Sequence, residues 1–279
     1  MPEPFLEVLV QDVGEEPTLT ALCAGYENGD WRCDALAHHL FEWLPEFALT
    51  WRERQEFSDA TSVALLRRAA AVVYATDKYE RRGEFGELIL HAIVRQVFGS
   101  EPAISKLYYK SSANETVKGF DSVHVVPAND TLELWLGEAK FYNNYRAAAR
   151  AVVEELADHV EHDYLRGEFL LITNKIDPGW PYAERLSRLL HPNTSLDEVF
   201  DAIRVPVMIT YDSSVIPEHA ARTDEYRAAF EKEVRAHHFD FRNRSLPDKV
   251  SINLVLLPLS TKERLVTAMD DILKAWHSI

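Results

Sequence analysis

No run of about 18 or more apolar residues occurs in the 279-residue chain, so it offers no candidate transmembrane helix. Cysteine is almost absent. Cys23 and Cys33 are the only two, and their spacing fits neither a disulfide framework nor a metal site. Free thiols in a reducing compartment are expected. The Met-Pro-Glu-Pro start lacks the basic-then-apolar order of a signal peptide, and a cytoplasmic location follows as an expectation. The chain also lacks G-x-x-x-x-G-K-[ST] and G-x-G-x-x-G, which excludes the commonest nucleotide cradles. There is no G-x-S-x-G nucleophile elbow and no H-E-x-x-H. His159 and His162, in "DHVEHD", stand i,i+3 without a third ligand and read as a solvated helix face. Internal repeats and low-complexity linkers are missing as well.

What is present is a chain that is 47% hydrophobic, enough for one large α/β domain or two small ones. Its net charge of −15 argues against coating nucleic acid through bulk charge. The charge is unevenly spread. Residues 1–60 carry 3 Lys/Arg against 13 Asp/Glu, a net of −10, and residues 61–120 carry 9 against 6, a net of +3. Residues 121–180 fall back to 5 against 11, a net of −6. The acidic first stretch also holds Trp31, Phe41, Trp43, Phe47, Trp51 and Phe57. Packing on the core explains them most simply. A docking surface that includes Glu42, Glu46, Trp51 and Glu53 is the alternative.

Periodicity predicts a strand at 5–10, then helices near 31–44 and 58–76, with Ser58 as a plausible cap. "GEFGELILHAIVRQVFG" reads as one helix stopped by Gly99. Strands follow at 104–109, 120–126 and 132–140, the last two forming a hairpin through a turn at 127–130. A helix from about 144 to 164 and a buried strand at 168–173 come next. Helices at 181–190, 195–202, 223–238 and 260 onward alternate with strands at 205–211 and 251–257. This mixed alternation predicts a layered α/β sheet covered by helices. Three segments are expected: an N-terminal helical extension (1–83), a core (84–175) and a C-terminal α/β extension (176–279) packed on the same core.

Charges sit where a buried hairpin should have none. In "GFDSVHVVPANDTLELWLGEAKFY", the two-residue period puts Glu138 and Lys140 on one face of their strand. Asp121 begins the neighbouring strand and can meet Glu138 across the pair. Two facing carboxylates repel unless a proton or cation lies between them. Mg²⁺, or Mn²⁺ in its place, prefers such oxygen ligands and keeps several waters. Lys140 beside it could position the attacking water and offset phosphate charge, the chemistry of metal-assisted phosphodiester hydrolysis. An ordinary Asp121–Lys140 salt bridge with Glu138 at a solvated edge is the competing explanation. Lys110 and Lys118, with Lys106, Tyr108 and Tyr109, mix cationic and aromatic character as nucleic-acid grooves do. Arg146 and Arg150, i,i+4 on the next helix, could grip phosphates, though a solvent face is equally consistent.

Helix, strands, leading acid and E-x-K in this order resemble the PD-(D/E)xK nuclease superfamily over roughly residues 84–175. That resemblance implies a restriction-endonuclease-like mixed sheet flanked by helices, with Asp121, Glu138 and Lys140 as the catalytic and metal site. It also implies a further glutamate from the first helix, Glu84 or Glu87, of which Glu87 lies deeper. "RRGEFGELIL", "KGFDSVHV" and "LWLGEAKFY" together resemble the HamA family of Hachiman anti-phage systems. This implies a DNA-degrading effector restrained by a superfamily 2 helicase, HamB. The rival readings are a catalytically inactive scaffold or regulatory subunit of a helicase complex, and a nuclease directed at RNA.

Overall fold

A computed structural model describes residues 1–74, 83–105, 119–128 and 131–278. In chain order the first part holds β1 (Glu7–Asp12), β2 (Thr18–Cys23), β3 (Tyr26–Glu27), β4 (Asp30–Trp31), α1 (Cys33–Glu42), α2 (Leu44–Ala48), α3 (Trp51–Gln55) and α4 (Ser62–Tyr74). The middle holds α5 (Gly83–Phe98), β5 (Glu101–Ser105), β6 (Ser122–Ala128), β7 (Thr131–Phe141), α6 (Tyr145–His159) and α7 (His162–Lys175). The last part holds α8 (Ala183–Leu189), α9 (Leu196–Ala202), β8 (Ile203–Asp212), α10 (Asp224–Arg242), β9 (Ser251–Leu259) and α11 (Lys262–Ser278).

Seven strands form one mixed sheet in the order β1-β2-β9-β8-β7-β6-β5. The neighbours β2/β9, β9/β8 and β8/β7 are parallel, while β1/β2, β7/β6 and β6/β5 are antiparallel. Parallel central strands need helices on both faces, and β8 and β9 accordingly read as nearly continuous buried runs. The sheet draws on all three predicted segments. The first, expected to be helical, also supplies β1 and β2. The fully apolar run of β2 is too short for periodicity to separate strand from helix.

Several local signals act as the sequence predicts. Asn144 caps α6, its side chain accepting from the Ala147 amide, and Thr223 caps α10 in the same way. Gly99, at φ +60°, ends α5. The expected strand at 168–173 is instead the second half of α7. Leu165, Phe169 and Ile172 are buried while Leu170 and Leu171 are exposed, a spacing of 3 to 4 that only a helix satisfies. The strand expected at 104–109 begins earlier, at Glu101, and residues 106–109 lie outside the described residues.

The aromatic N-terminal region is core. Trp31, Phe41, Trp43 and Phe47 are buried, and only Phe57 among the six is substantially exposed. Glu46 is likewise no docking residue. Arg95 donates to it from Nε at 2.5 Å and from Nη2 at 3.3 Å, and Arg54 donates at 3.1 Å. Glu53 serves as the reciprocal partner of Thr50 in the capping box of α3. A chain of buried groups continues from Glu46. His91 Nε2 lies 3.3 Å from Glu46 Oε1, His91 Nδ1 3.3 Å from His124 Nε2, and Ser100 Oγ 2.8 Å from His124 Nδ1. With both imidazoles neutral, each donor in this chain has an acceptor.

Candidate active site

β7 carries the site because it changes character along its length. Leu132, Leu134 and Leu136 fill the core, and the same face then presents Glu138 and Lys140. On the opposite face Gly137, Ala139 and Phe141 lie under α5. A Cβ added to Gly86 would fall 2.8 Å from that of Phe141, and one added to Gly137 would reach Leu90 at the same distance. Close helix–strand packing therefore leaves the charged face of β7 to α6.

Across the hairpin, Ser122 pairs with Gly137, and the Asp121 amide donates to the Gly137 carbonyl at 2.9 Å. This register sets Asp121 opposite Glu138. One carboxylate oxygen of Asp121 accepts from the Ala139 amide at 2.8 Å. The side chain thus takes over a sheet hydrogen bond where the strand begins. Asp121, Glu138 and Lys140 are 6%, 2% and 7% exposed, so this is a buried centre rather than a solvated edge.

Two residues of α6 complete it. The Lys140 ammonium donates to Glu138 Oε1 at 2.7 Å and to Glu155 Oε2 at 2.5 Å. His159, one turn beyond Glu155, places Nδ1 3.5 Å from Glu138 Oε2. Its ring stacks on Tyr164 at 4.7 Å and lies 5.0 Å from Phe120. His159 therefore faces the site and not solvent, contrary to the expectation for a lone helical pair. Glu168 of α7 is also buried, against Gly119. A side chain at Gly119 would collide with its carboxylate, and φ of +149° there further favours glycine.

Burial, reinforced by the charge of Asp121, pushes the Glu138 carboxyl well above the ordinary carboxylate range, with Lys140 pulling the other way. Burial also opposes the charge on Lys140, but the attraction and hydrogen bonds of Glu138 and Glu155 outweigh it and stabilise the ammonium. Burial likewise acts to raise Glu155, yet its hydrogen bonds to Glu138 and Lys140 prevail and hold it low.

Not every predicted residue joins the centre. Glu87 is buried on α5, the helix packed over the other face of β7. Glu84 is half-buried in the first turn of the same helix. Arg146 and Arg150 are exposed on the side of α6 turned away from Glu155 and His159. Lys106, Tyr108, Tyr109, Lys110 and Lys118 lie outside the described residues.

Among the described residues no group of three His, Cys, Asp or Glu side chains is arranged to hold a metal ion. The donor chemistry nonetheless suits a hard divalent cation. Mg²⁺ needs only one or two carboxylates and keeps its remaining waters. A cation between Asp121 and Glu138 would also relieve the repulsion that drives Glu138 toward protonation.

A seven-stranded mixed sheet flanked by helices, with a buried acid–acid–lysine centre at the end of a central strand, defines a mixed α/β protein with one strongly polar internal site. The HamA family model matches residues 3–273, and the chain belongs to the HamA family. It is also similar to Anti-bacteriophage protein A of Escherichia coli (strain K12), with 22% identity over 259 residues. That match covers 88% of this chain and 46% of the relative, so the chain spans about half of the relative's length. No helix among the described residues is long and apolar enough to cross a membrane.

Proposed function

We propose that this anti-phage defence protein is a metal-dependent nuclease that cleaves DNA from a PD-(D/E)xK-type centre. The observation that supports it best is the facing of Asp121 and Glu138 across an antiparallel pair, with Lys140 held beside them. Such a carboxylate pair has little structural use without a cation, because mutual repulsion and burial both cost stability. Asp121 and Glu138 would hold Mg²⁺ or Mn²⁺, which supplies an activated water and charge neutralisation at the phosphate. Lys140 orients that water and offsets charge on the phosphate. Glu155 fixes the flexible lysine from the far side, and His159 with Phe120 braces the Glu138 carboxylate. Glu87 is left out of the donor set because α5 lies over the other face.

Membership of the HamA family supports reading the chain as one part of an assembly with a superfamily 2 helicase, HamB, that restrains it. The lack of a nucleotide-binding loop motif is compatible with that division of labour. To test the substrate class, purified protein is incubated with duplex DNA, single-stranded DNA and RNA in Mg²⁺, with and without the helicase. Divalent-dependent DNA cleavage is expected. Cleavage of RNA alone would move the target, and none in any arm would favour a scaffold.

Glu155→Ala is expected to lower kcat about tenfold, the usual scale for residues that orient a metal site's groups. KM for DNA should stay level or fall, since an acid beside the phosphate path is removed. Glu155→Gln retains an acceptor for Lys140 and should recover part of the loss. Steady-state kinetics check this, and wild-type kcat in the alanine variant would remove Glu155 from the centre.

A further inference from the structure

Beside the carboxylate centre lies a cavity of about 420 Å³ lined by Gly83, Lys140, Phe141, Tyr142, Asn143 and Lys262. It opens where β7 ends, the end at which Glu138 and Lys140 are placed. Lys262 comes from the opposite extreme of the chain, as the first residue of α11 just after β9. Sequence spacing alone gives no reason to associate it with residue 140.

The fold seats Lys262 firmly. Its backbone amide donates to Asp212 Oδ1 at 2.6 Å, tying α11 to the end of β8. Its ammonium lies over the Phe141 ring, 4.7 Å from the centroid. Among the described residues it makes no ion pair with a carboxylate. A half-buried cation resting on an aromatic face is partly desolvated and only weakly compensated. Burial accordingly lowers its pKa, with Asp212 opposing. Tyr142 and Asn143 are exposed beside it and add a phenol and an amide as hydrogen-bonding groups.

A cavity that combines an unpaired cation, an exposed phenol and an amide calls for an anion with several acceptor oxygens. Its position, one residue along the strand from Lys140, calls for that anion to be continuous with whatever is cleaved. We infer that Lys262, with Tyr142 and Asn143, forms a phosphate subsite that holds the polynucleotide backbone next to the scissile phosphate. The inference rests on the nuclease reading above and names a residue contributed by the C-terminal helix. Lys262 contacts a phosphate that is not the one cleaved, so its loss should appear in binding more than in turnover.

The test is equilibrium binding of a fluorescently labelled duplex by the full-length protein. It is measured in Ca²⁺ to suppress turnover, between about 50 and 200 mM salt. Lys262→Gln is expected to weaken binding several-fold and to lower the slope of log K against log salt by about 1, the signature of one lost phosphate contact. Lys262→Glu should weaken it at least about tenfold, while Lys232→Glu, on the exposed face of α10, changes little. Thermal midpoints establish that both Lys262 variants are folded, and kcat at saturating DNA in Mg²⁺ should remain near wild type. Wild-type affinity and slope in Lys262→Glu, with wild-type protein still cleaving, would overturn the subsite and leave the nuclease reading standing. Wild-type protein that neither binds nor cleaves would overturn both. Inorganic phosphate that binds in calorimetry and is lost in Lys262→Glu, without any change in DNA affinity, would overturn the polynucleotide assignment.

Discussion

Glu138→Gln is expected to reduce divalent-dependent DNA cleavage by at least about 10³-fold, equivalent to roughly 4 kcal/mol of transition-state stabilisation. Glutamine matches the shape of glutamate and still accepts a hydrogen bond from Lys140, but it removes the charge that would attract a metal ion. The fold should survive, because Glu155 continues to compensate the Lys140 ammonium. This is a sharper experiment than truncation. A polar cleft would tolerate alanine at either position, but Glu138 and Lys140 are buried. Lys140→Ala leaves Glu138 and Glu155 together without their cation and should cost about 1–3 kcal/mol of stability. Cleavage rate and thermal midpoint, measured on one preparation of Glu138→Gln, separate catalysis from folding. Full activity in a folded variant would remove the residue from the site.

Glu46→Ala is expected to destabilise the protein by about 3 kcal/mol or more, because it leaves Arg95 and His91 buried beside an empty carboxylate position. For a chain of this size that corresponds to a fall in thermal midpoint of at least about 6 °C. The same cluster sets a pH dependence. Burial lowers the pKa of His91, and of His124 further, below the ordinary 6.5. The unfolded chain therefore binds protons below pH 6.5 that the folded one refuses, and stability falls as pH drops through that point. Burial acts to raise Glu46, but hydrogen bonds from His91 and Arg95 outweigh it and hold its pKa low. Its contribution is therefore present above about 4.5 and lost below. Calorimetric scans between pH 5 and 8 should show the midpoint declining below 6.5. A flat profile, with less than about 2 °C lost in Glu46→Ala, would contradict this account of the cluster.

The hairpin and its charges were legible from sequence because both follow from a two-residue period. Alternation alone sets Glu138 and Lys140 on one face, and a turn near 127–130 sets Asp121 opposite. Glu155 and His159 were not legible, since nothing local distinguishes an acid on the inner face of α6 from its exposed neighbours Glu154 and Asp158. Only the crossing of α6 over β7 makes that distinction. The strand expected at 168–173 failed for a related reason. Six residues of an apolar run fit either period, and the exposed Leu170 and Leu171 are visible only once the helix is packed. Glu46 misled in the opposite direction. In an acidic, aromatic stretch it reads as surface, whereas Arg95, 49 residues away, draws it into the interior. Lys262 lay beyond reach altogether, because its association with β7 depends on the order of strands in the sheet.

Metal titration of cleavage tests the central claim most directly. Purified wild-type protein freed of divalent ions with EDTA is given labelled DNA, and Mg²⁺ is added back stepwise, with Ca²⁺ and Glu138→Gln run in parallel. If Asp121 and Glu138 hold a hard cation for phosphodiester hydrolysis, cleavage should be absent in EDTA and should rise to saturation with Mg²⁺. Ca²⁺ should give little turnover, and Glu138→Gln should stay inactive at every concentration. Cleavage that persists in EDTA, or that is equal in Glu138→Gln, would contradict the assignment of this buried centre as the catalytic site.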